Sequence, residues 1–315
     1  PLLIPSFARF LRGENVDFST SMPMVNNFGF TPVNFRAGKA SVLVVDDSTV
    51  NRKVAEGFLQ SLDIRADEAG SGEDALLLAA KTRYDLVLMD HMMPGMDGLE
   101  TTERLREIPG YEDVPIVALT ANTGASYLEM YRKAGLNDAL YKPIEFNAFI
   151  ACLKRWLTAE TGDEGKASPS GEEAPLTEST SPADAVADGS GWVPGLDREK
   201  GLLYTGSPEN LEMVLKVFGR TGTKMLEQLE SGRRSGNFAQ FRTAAHSLIS
   251  SCANIGGVEL SDNARSLEAA IIGGNMEDID RLYAVVHEKL ERLIGDVAEY
   301  EKGAESNNGA NGGTK

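Results

Sequence analysis

Between residues 41 and 141, five short apolar runs alternate with stretches of helical spacing. Ser41-Val-Leu-Val-Val45 is the first, and Ser48 is placed to cap a helix running through Leu62. A short strand near Ile64–Ala66 leads to a helix over Gly72–Lys81. Leu86–Met89 leads to a helix over Gly98–Glu107, and Pro115–Leu119 to a helix from about Ser126 to Ala134. Ala139–Tyr141 leads to a helix over Ile144–Leu157. Runs this short, bounded by turn residues, read as strands. Because a helix follows each strand and carries the chain back, the strands run parallel, with helices on both faces of the sheet. Ligands of such sheets sit outside the carboxyl ends of the strands.

Those ends carry an unusual set of side chains. Strand one runs into Asp46-Asp47, strand three into Asp90, strand four into Thr120 and strand five into Lys142. Three carboxylates at one sheet edge repel and raise one another's pKa. A hard divalent cation such as Mg2+ relieves them, as does the Lys142 ammonium. A carboxylate nucleophile with a cation, an ammonium and a hydroxyl around it is equipped for phosphoryl transfer. A strand-end Asp taken alone is more often a solvated cap. The five residues together make Asp90 the candidate nucleophile, with the Pro94-Gly95 turn bending the next loop over it.

The charge balance agrees with this chemistry. The formal charge of −16 over 315 residues argues against binding a nucleic-acid backbone and predicts a soluble protein; the expected location is cytoplasmic, with room for a membrane anchor elsewhere in a longer parent. No apolar run approaches the ~18 residues of a membrane span. Cys152 and Cys252 lie far apart and read as buried small hydrophobes. His91, His246 and His287 are too scattered for a histidine metal site.

Thr158 to Gly191 has three prolines, no aromatic residue, and eight acids against the single base Lys166, and is expected to be a flexible linker. Beyond it, over 192–301, apolar residues at 3–4 spacing define four amphipathic helices with short connections, the pattern of a four-helix bundle. Residues 302–315 read as a disordered tail. Pro1–Leu11 faintly echoes Pro143–Leu153, so residues 1–12 read either as a chance likeness or as the last helix of a preceding copy of the first module. Residues 13–39 would then be a linker, and the chain part of a longer protein.

Val44-Val-Asp-Asp-Ser-Thr-Val-Asn-Arg52, Leu88-Met-Asp-His-Met-Met-Pro-Gly-Met-Asp-Gly98, Ala118-Leu-Thr-Ala121 and Tyr141-Lys-Pro-Ile144 resemble the receiver domain of two-component response regulators over residues 40–157. The resemblance implies a flavodoxin-like fold with strand order 2-1-3-4-5. It makes Asp90 the phosphoacceptor and Asp46 and Asp47 the magnesium carboxylates, with the Met92 carbonyl as a further ligand. It assigns Thr120 and Lys142 to the phosphoryl group. His91 reads as a loop residue, not a catalyst. One departure is Ala139, three residues before Lys142, where the family usually has a Tyr or Phe coupled to the threonine.

On the second module, His246 falls roughly 130° from the centre of its helix's apolar stripe, so it should face solvent or a partner. Val193-Pro-Gly-Leu-Asp197, Ala245-His-Ser-Leu-Ile-Ser-Ser-Cys-Ala-Asn-Ile-Gly256, Leu260-Ser261 and Leu267-Glu268 resemble a histidine phosphotransfer (HPt) domain. That implies an all-α four-helix bundle with His246 as its phosphoacceptor. The family's His-x-Leu-Lys-Gly is here His246-Ser-Leu-Ile-Ser250, which lacks the lysine and the glycine; Arg242, one turn earlier, is a candidate substitute for the lysine. The expected function is a relay from an upstream histidine kinase to Asp90, then to His246, then to a downstream receiver in a separate protein. The chain resembles the carboxy-terminal part of a hybrid sensor histidine kinase and shows no ATP-binding motif. The alternative is a phosphorylation-switched interaction module with an inactive bundle.

Overall fold

The computed structural model describes residues 37, 39–121, 125–157 and 192–310. The first module reads β1 (Ser41–Val45), α1 (Thr49–Ser61), β2 (Arg65–Ala69), α2 (Gly72–Ala79), β3 (Leu86–Asp90), α3 (Gly98–Arg106), β4 (Ile116–Thr120), α4 (Ala125–Ala134), β5 (Asp138–Tyr141) and α5 (Phe146–Leu157). The strands form one sheet in the order β2-β1-β3-β4-β5, every neighbouring pair parallel. This is the expected doubly wound arrangement. The central strands β3 and β4 are buried at every position, which is why they read as unbroken apolar runs. The edge strand β2 runs to Ala69 instead of stopping at Ala66. It carries Arg65, Asp67 and Glu68, so hydrophobicity could not mark its end; its pairing with β1 does.

Alternate residues of each strand feed opposite faces. Leu43, Val45, Val87, Met89, Ile116 and Ala118 pack with α2, α3 and α4 in one core. Val42, Val44, Leu86, Leu88, Val117 and Leu119 pack with α1 and α5 in the other, and that second core continues without a break into the helical module.

The helical module comprises α6 (Arg198–Thr205), α7 (Pro208–Ser235), α8 (Phe238–Asn254), α9 (Val258–Gly273) and α10 (Met276–Ala310). The last four are the expected bundle. The short α6 went unread because eight residues hold too little periodicity, although its stops are visible in the sequence. Asp197 caps it by accepting from the Lys200 amide at 3.0 Å, and Gly206 ends it in the left-handed region at φ 79°. α10 continues past residue 301 into the segment expected to be a tail, since Glu301, Lys302, Ala304 and Glu305 all favour helix. No helix among the described residues is long and apolar enough to cross a membrane. Residues 1–12 and the 158–191 segment lie outside the described residues, as does 13–39 apart from 37 and 39.

The two modules meet through α1, which lies between the sheet and helices α7 and α8. Gly57 on α1 sits against the Asn210 side chain so closely that a Cβ there would lie 2.1 Å from Asn210 Oδ1. Only a hydrogen fits at that crossing.

Candidate functional site

β1, β3 and β5 deliver their carboxyl-terminal side chains to one point, as the strand register requires. Lys142 Nζ donates to Asp46 Oδ2 at 2.7 Å and lies 2.9 Å from Asp90 Oδ1; all three side chains are nearly fully buried. Asp46 also accepts from the Ser48 amide at 2.9 Å and from Asn51 Nδ2 at 3.1 and 3.2 Å. Arg52 donates to the Asp46 carbonyl at 2.6 Å and to Glu68 at 3.1 Å, fastening the start of α1 to the strand ends. Behind Asp90 the chain doubles back. The Gly98 amide donates to the His91 carbonyl at 3.2 Å, and a Cβ on Gly98 would lie 2.0 Å from the Asp90 carbonyl oxygen. Asp97 then caps α3 by accepting from the Leu99 and Glu100 amides.

Crowding shows in the electrostatics. Burial, then the charges of Asp46 and Asp90, hold the Asp47 carboxyl well above the usual range, with Lys142 and Arg52 pulling against them. Burial pushes Asp90 up to about 6; Lys142 opposes this and Asp46 adds to it. Burial pushes the Lys142 ammonium down, but Asp46 and Asp90 more than reverse that and hold it above its usual range. One carboxylate oxygen from each of Asp46, Asp47 and Asp90 lies within 4.8 Å of the other two. An all-oxygen set with surplus negative charge fits a hard divalent cation. The Met92 amide donates to Asp90 Oδ1 at 3.3 Å, so the Met92 backbone borders the same cluster. Thr120, at the end of β4, is buried and accepts from the Tyr131 hydroxyl at 2.7 Å.

Of the two placements expected for His246, facing solvent or facing a partner, the first does not hold. It is only 5% exposed, so it does not face solvent. The helix that carries it packs against α1 of the first module, and Arg242 one turn earlier meets Met92 Sδ at 3.7 Å. The helical wheel correctly removed it from the bundle's apolar stripe but could not show that another module would close over that face. His246 lies near enough to Asp90 for its charge to lower the Asp90 pKa. Its Nδ1 pairs with Glu268 Oε1 at 3.0 Å. Burial pushes Glu268 up, while the hydrogen bond with His246 and the charges of His246 and Arg242 bring it below the usual range. Arg242 also approaches Glu268 at 3.4 Å and Met92 Sδ at 3.7 Å, tying the bundle to the loop after Asp90.

A polar seam flanks this contact. Asn51 Nδ2 donates to Ser250 Oγ at 2.9 Å, and Asn254 Nδ2 donates to Asn51 Oδ1 at 3.0 Å. Ser48 and Ser251 share a hydroxyl hydrogen bond of 2.8 Å. The seam encloses a void of only about 10 Å³, bordered by Asp46, Lys142 and Ser250 among others. The two departures from the HPt pattern are both absorbed here: Ile249 is buried in the shared core and Ser250 accepts from α1. Beyond His246 the modules separate around a cleft of about 570 Å³, between the His91–Asp97 loop and the start of α8.

Asn51, Ser251, Asn254 and Glu268 belong to this arrangement and were missed as site residues. Their roles depend on a surface between modules, for which one chain's residue pattern carries no periodicity. His91 lies in the loop after β3, as expected, and is half-buried there. Its ring packs edge-on against Tyr131, and burial pushes its imidazole down to about 4.

Residues 42–154 match the family described as "Response regulator receiver domain", and residues 213–296 match the "Hpt domain". Over 238 residues, 76% of this chain, the sequence is 26% identical to the signal transduction histidine-protein kinase BarA of Escherichia coli. Over 192 residues, 61% of the chain, it is 32% identical to the aerobic respiration control sensor protein ArcB of the same species. It spans 24% and 23% of the lengths of those relatives. Among solved structures, the receiver domain of sensor histidine kinase PA1611 from Pseudomonas aeruginosa, with magnesium coordinated in its active-site cleft, is 37% identical. The match has a TM-score of 0.36 and covers 38% of this chain and 98% of that one.

Proposed function

We propose that this chain, which carries a receiver domain followed by an Hpt domain and so belongs to phosphorelay signalling, moves one phosphoryl group through both domains. Asp90 takes it from a phosphohistidine of an upstream kinase module, and His246 takes it from Asp90 and hands it to a receiver in another protein. The parent is then a hybrid sensor histidine kinase acting on the cytoplasmic side. The observation that carries the reading is the burial of His246 against the Asp90 site within one chain.

In the first step an Asp90 carboxylate oxygen attacks phosphorus, the P–N bond breaks and the kinase imidazole leaves. Lys142, already at Asp90, and Thr120 are the chain's own donors to the phosphoryl oxygens. Asp46, Asp47, Asp90 and the Met92 carbonyl would hold Mg2+, which when bound supplies further neutralisation of those oxygens. In the second step a lone pair on His246 Nε2 attacks phosphorus, the P–O bond to Asp90 breaks and the carboxylate is regenerated. For Nε2 to attack, Nδ1 must hold the proton, and Glu268 accepts that hydrogen bond. The carboxylate also stabilises the positive charge that appears on the ring as the P–N bond forms. Arg242 stands where it can offset charge on the group in flight, the task the missing lysine would have had. Onward transfer requires the two modules to part, because His246 is buried while they are together.

Labelling with the phosphorylated kinase module tests this. Asp90→Ala is expected to abolish label everywhere, and His246→Ala to leave label on Asp90. Label reaching His246 in the Asp90→Ala chain overturns the order.

A further inference from the structure

Gly57 lies in the interior of α1, and the helix itself gives no reason for it. Its backbone stays out of the left-handed region, and a glycine inside a helix is weaker than an alanine. The reason lies across the module boundary. A Cβ on Gly57 would stand 2.1 Å from Asn210 Oδ1 and 2.5 Å from both Cγ and Nδ2 of the same side chain, on α7. We propose that Gly57 and Asn210 form a specificity-determining pair: the bundle admits to His246 a receiver with no side chain at the Gly57 position and turns away one that carries a Cβ there. The inference rests on the relay reading and names the kind of receiver that reading requires.

Neither side of the contact gives way cheaply. Asn210 is 9% exposed, and its Nδ2 donates to the carbonyl of Thr205, the last residue of α6, at 2.6 Å. Swinging the side chain aside breaks that bond and strands a buried polar group. Its Oδ1 has no hydrogen-bond partner among the described residues and stands at the spot a Cβ would take. α1 is equally fixed. Before Gly57, Ser48 bonds Ser251 at 2.8 Å and Asn51 bonds Ser250 at 2.9 Å. After it, the buried ring of Phe58 packs on Phe146 with 4.9 Å between centroids. Phe58 also borders Gly206, where a Cβ would come within 3.2 Å of its Cε1. A helix held on either side of Gly57 cannot slide away from Asn210 without losing one set of contacts.

The pair also acts on receivers outside this chain. α7, which carries Asn210, and α8, which carries His246, both pack against α1 and so present one face. Another receiver of the same fold that brings its nucleophilic strand end to His246 sets its own first helix on that face and meets Asn210. The downstream receiver therefore carries glycine at the place matching Gly57. A receiver with alanine or anything larger there docks off line, and its aspartate is held back from His246. A clash built against the wrong partner discriminates without adding any contact to the right one.

The test uses the whole chain, with Gly57→Ala turning its own receiver into one that carries a Cβ. Alanine favours a helix more than glycine does, so the receiver should fold and take label on Asp90 from the kinase module to the parent's extent. With that module removed, single-turnover transfer to His246 is expected to fall by roughly 5- to 150-fold, the range for an overpacked contact. Asn210→Ala removes the three nearest atoms that a Cβ at Gly57 would strike. Added to Gly57→Ala, it should return transfer to the rate of Asn210→Ala alone. Transfer at the parent's rate in Gly57→Ala overturns the inference, as does slow transfer that Asn210→Ala leaves slow. A Gly57→Ala chain that takes no label on Asp90 overturns it too, because Gly57 would then serve the receiver's own fold. A parent that takes no label on Asp90, or passes none to His246, overturns the relay reading instead.

Discussion

Asp90 and His246 stand at the two ends of one proposed transfer, yet their surroundings are built in opposite ways. Asp90 is surrounded by its own domain: Asp46, Asp47 and Lys142 reach it from other strand ends, and its pKa of about 6 follows from burial there. His246 owns little besides Glu268 and Arg242 on the bundle. The receiver meets the helix that carries it, through Asn51 on Ser250, Ser48 on Ser251 and Met92 on Arg242. A site made within one domain keeps its chemistry when the partner leaves. A site completed at an interface changes when the interface opens, and that suits a residue that must take from one receiver and give to another.

This contrast can be broken by damaging only the seam. Ser250→Leu forces bulk into a space with about 10 Å³ of void. Overpacking of this kind costs about 1–3 kcal/mol, and each ~1.4 kcal/mol is tenfold. Single-turnover Asp90-to-His246 transfer is expected to fall by roughly 5- to 150-fold, while labelling of Asp90 by the kinase module stays at the parent's rate. Equal losses in both steps would mean that the two sites are not independent. A smaller effect sharpens the His246 side. Glu268→Gln keeps an acceptor for Nδ1 but removes the charge. Bonds to charged partners exceed neutral ones by about 1 kcal/mol, so transfer to His246 should slow by roughly three- to tenfold. The smallest effect is on stability against pH. Glu268 has a lowered pKa, so the stability it brings is present above the ordinary glutamate range and is lost as pH falls through the lowered value. Thermal melts should place Glu268→Gln below the parent near neutral pH, with the gap closing on acidification through about pH 4.

The same contrast explains what the sequence could reveal. The Asp90 site was legible because parallel strands deliver their last residues to one edge, so Asp46, Asp47, Asp90, Thr120 and Lys142 could be placed together from spacing alone. Five strands and five helices of the receiver and four helices of the bundle followed from periodicity, with the half-polar edge strand β2 and the short α6 as the weak points. His246 was legible as a histidine off the apolar stripe, but its burial was not, because hydrophobic periodicity records the core of a domain and not a polar seam. Asn51 and Ser250 form such a seam from small polar side chains that read as solvent-facing. Tyr131 was hidden for a related reason: a tyrosine on a helix's inner face reads as core until its hydroxyl is seen on Thr120.

Transfer within one folded chain is the central claim, and its dependence on concentration tests it most directly. With Asp90 loaded by a limiting amount of kinase module and the kinase then removed, the phosphoryl group should pass to His246 at a rate that does not change on dilution. Mixing a His246→Ala chain loaded on Asp90 with an Asp90→Ala chain should give transfer only slowly, and in proportion to concentration. A rate in the intact chain that falls in step with dilution would contradict the account.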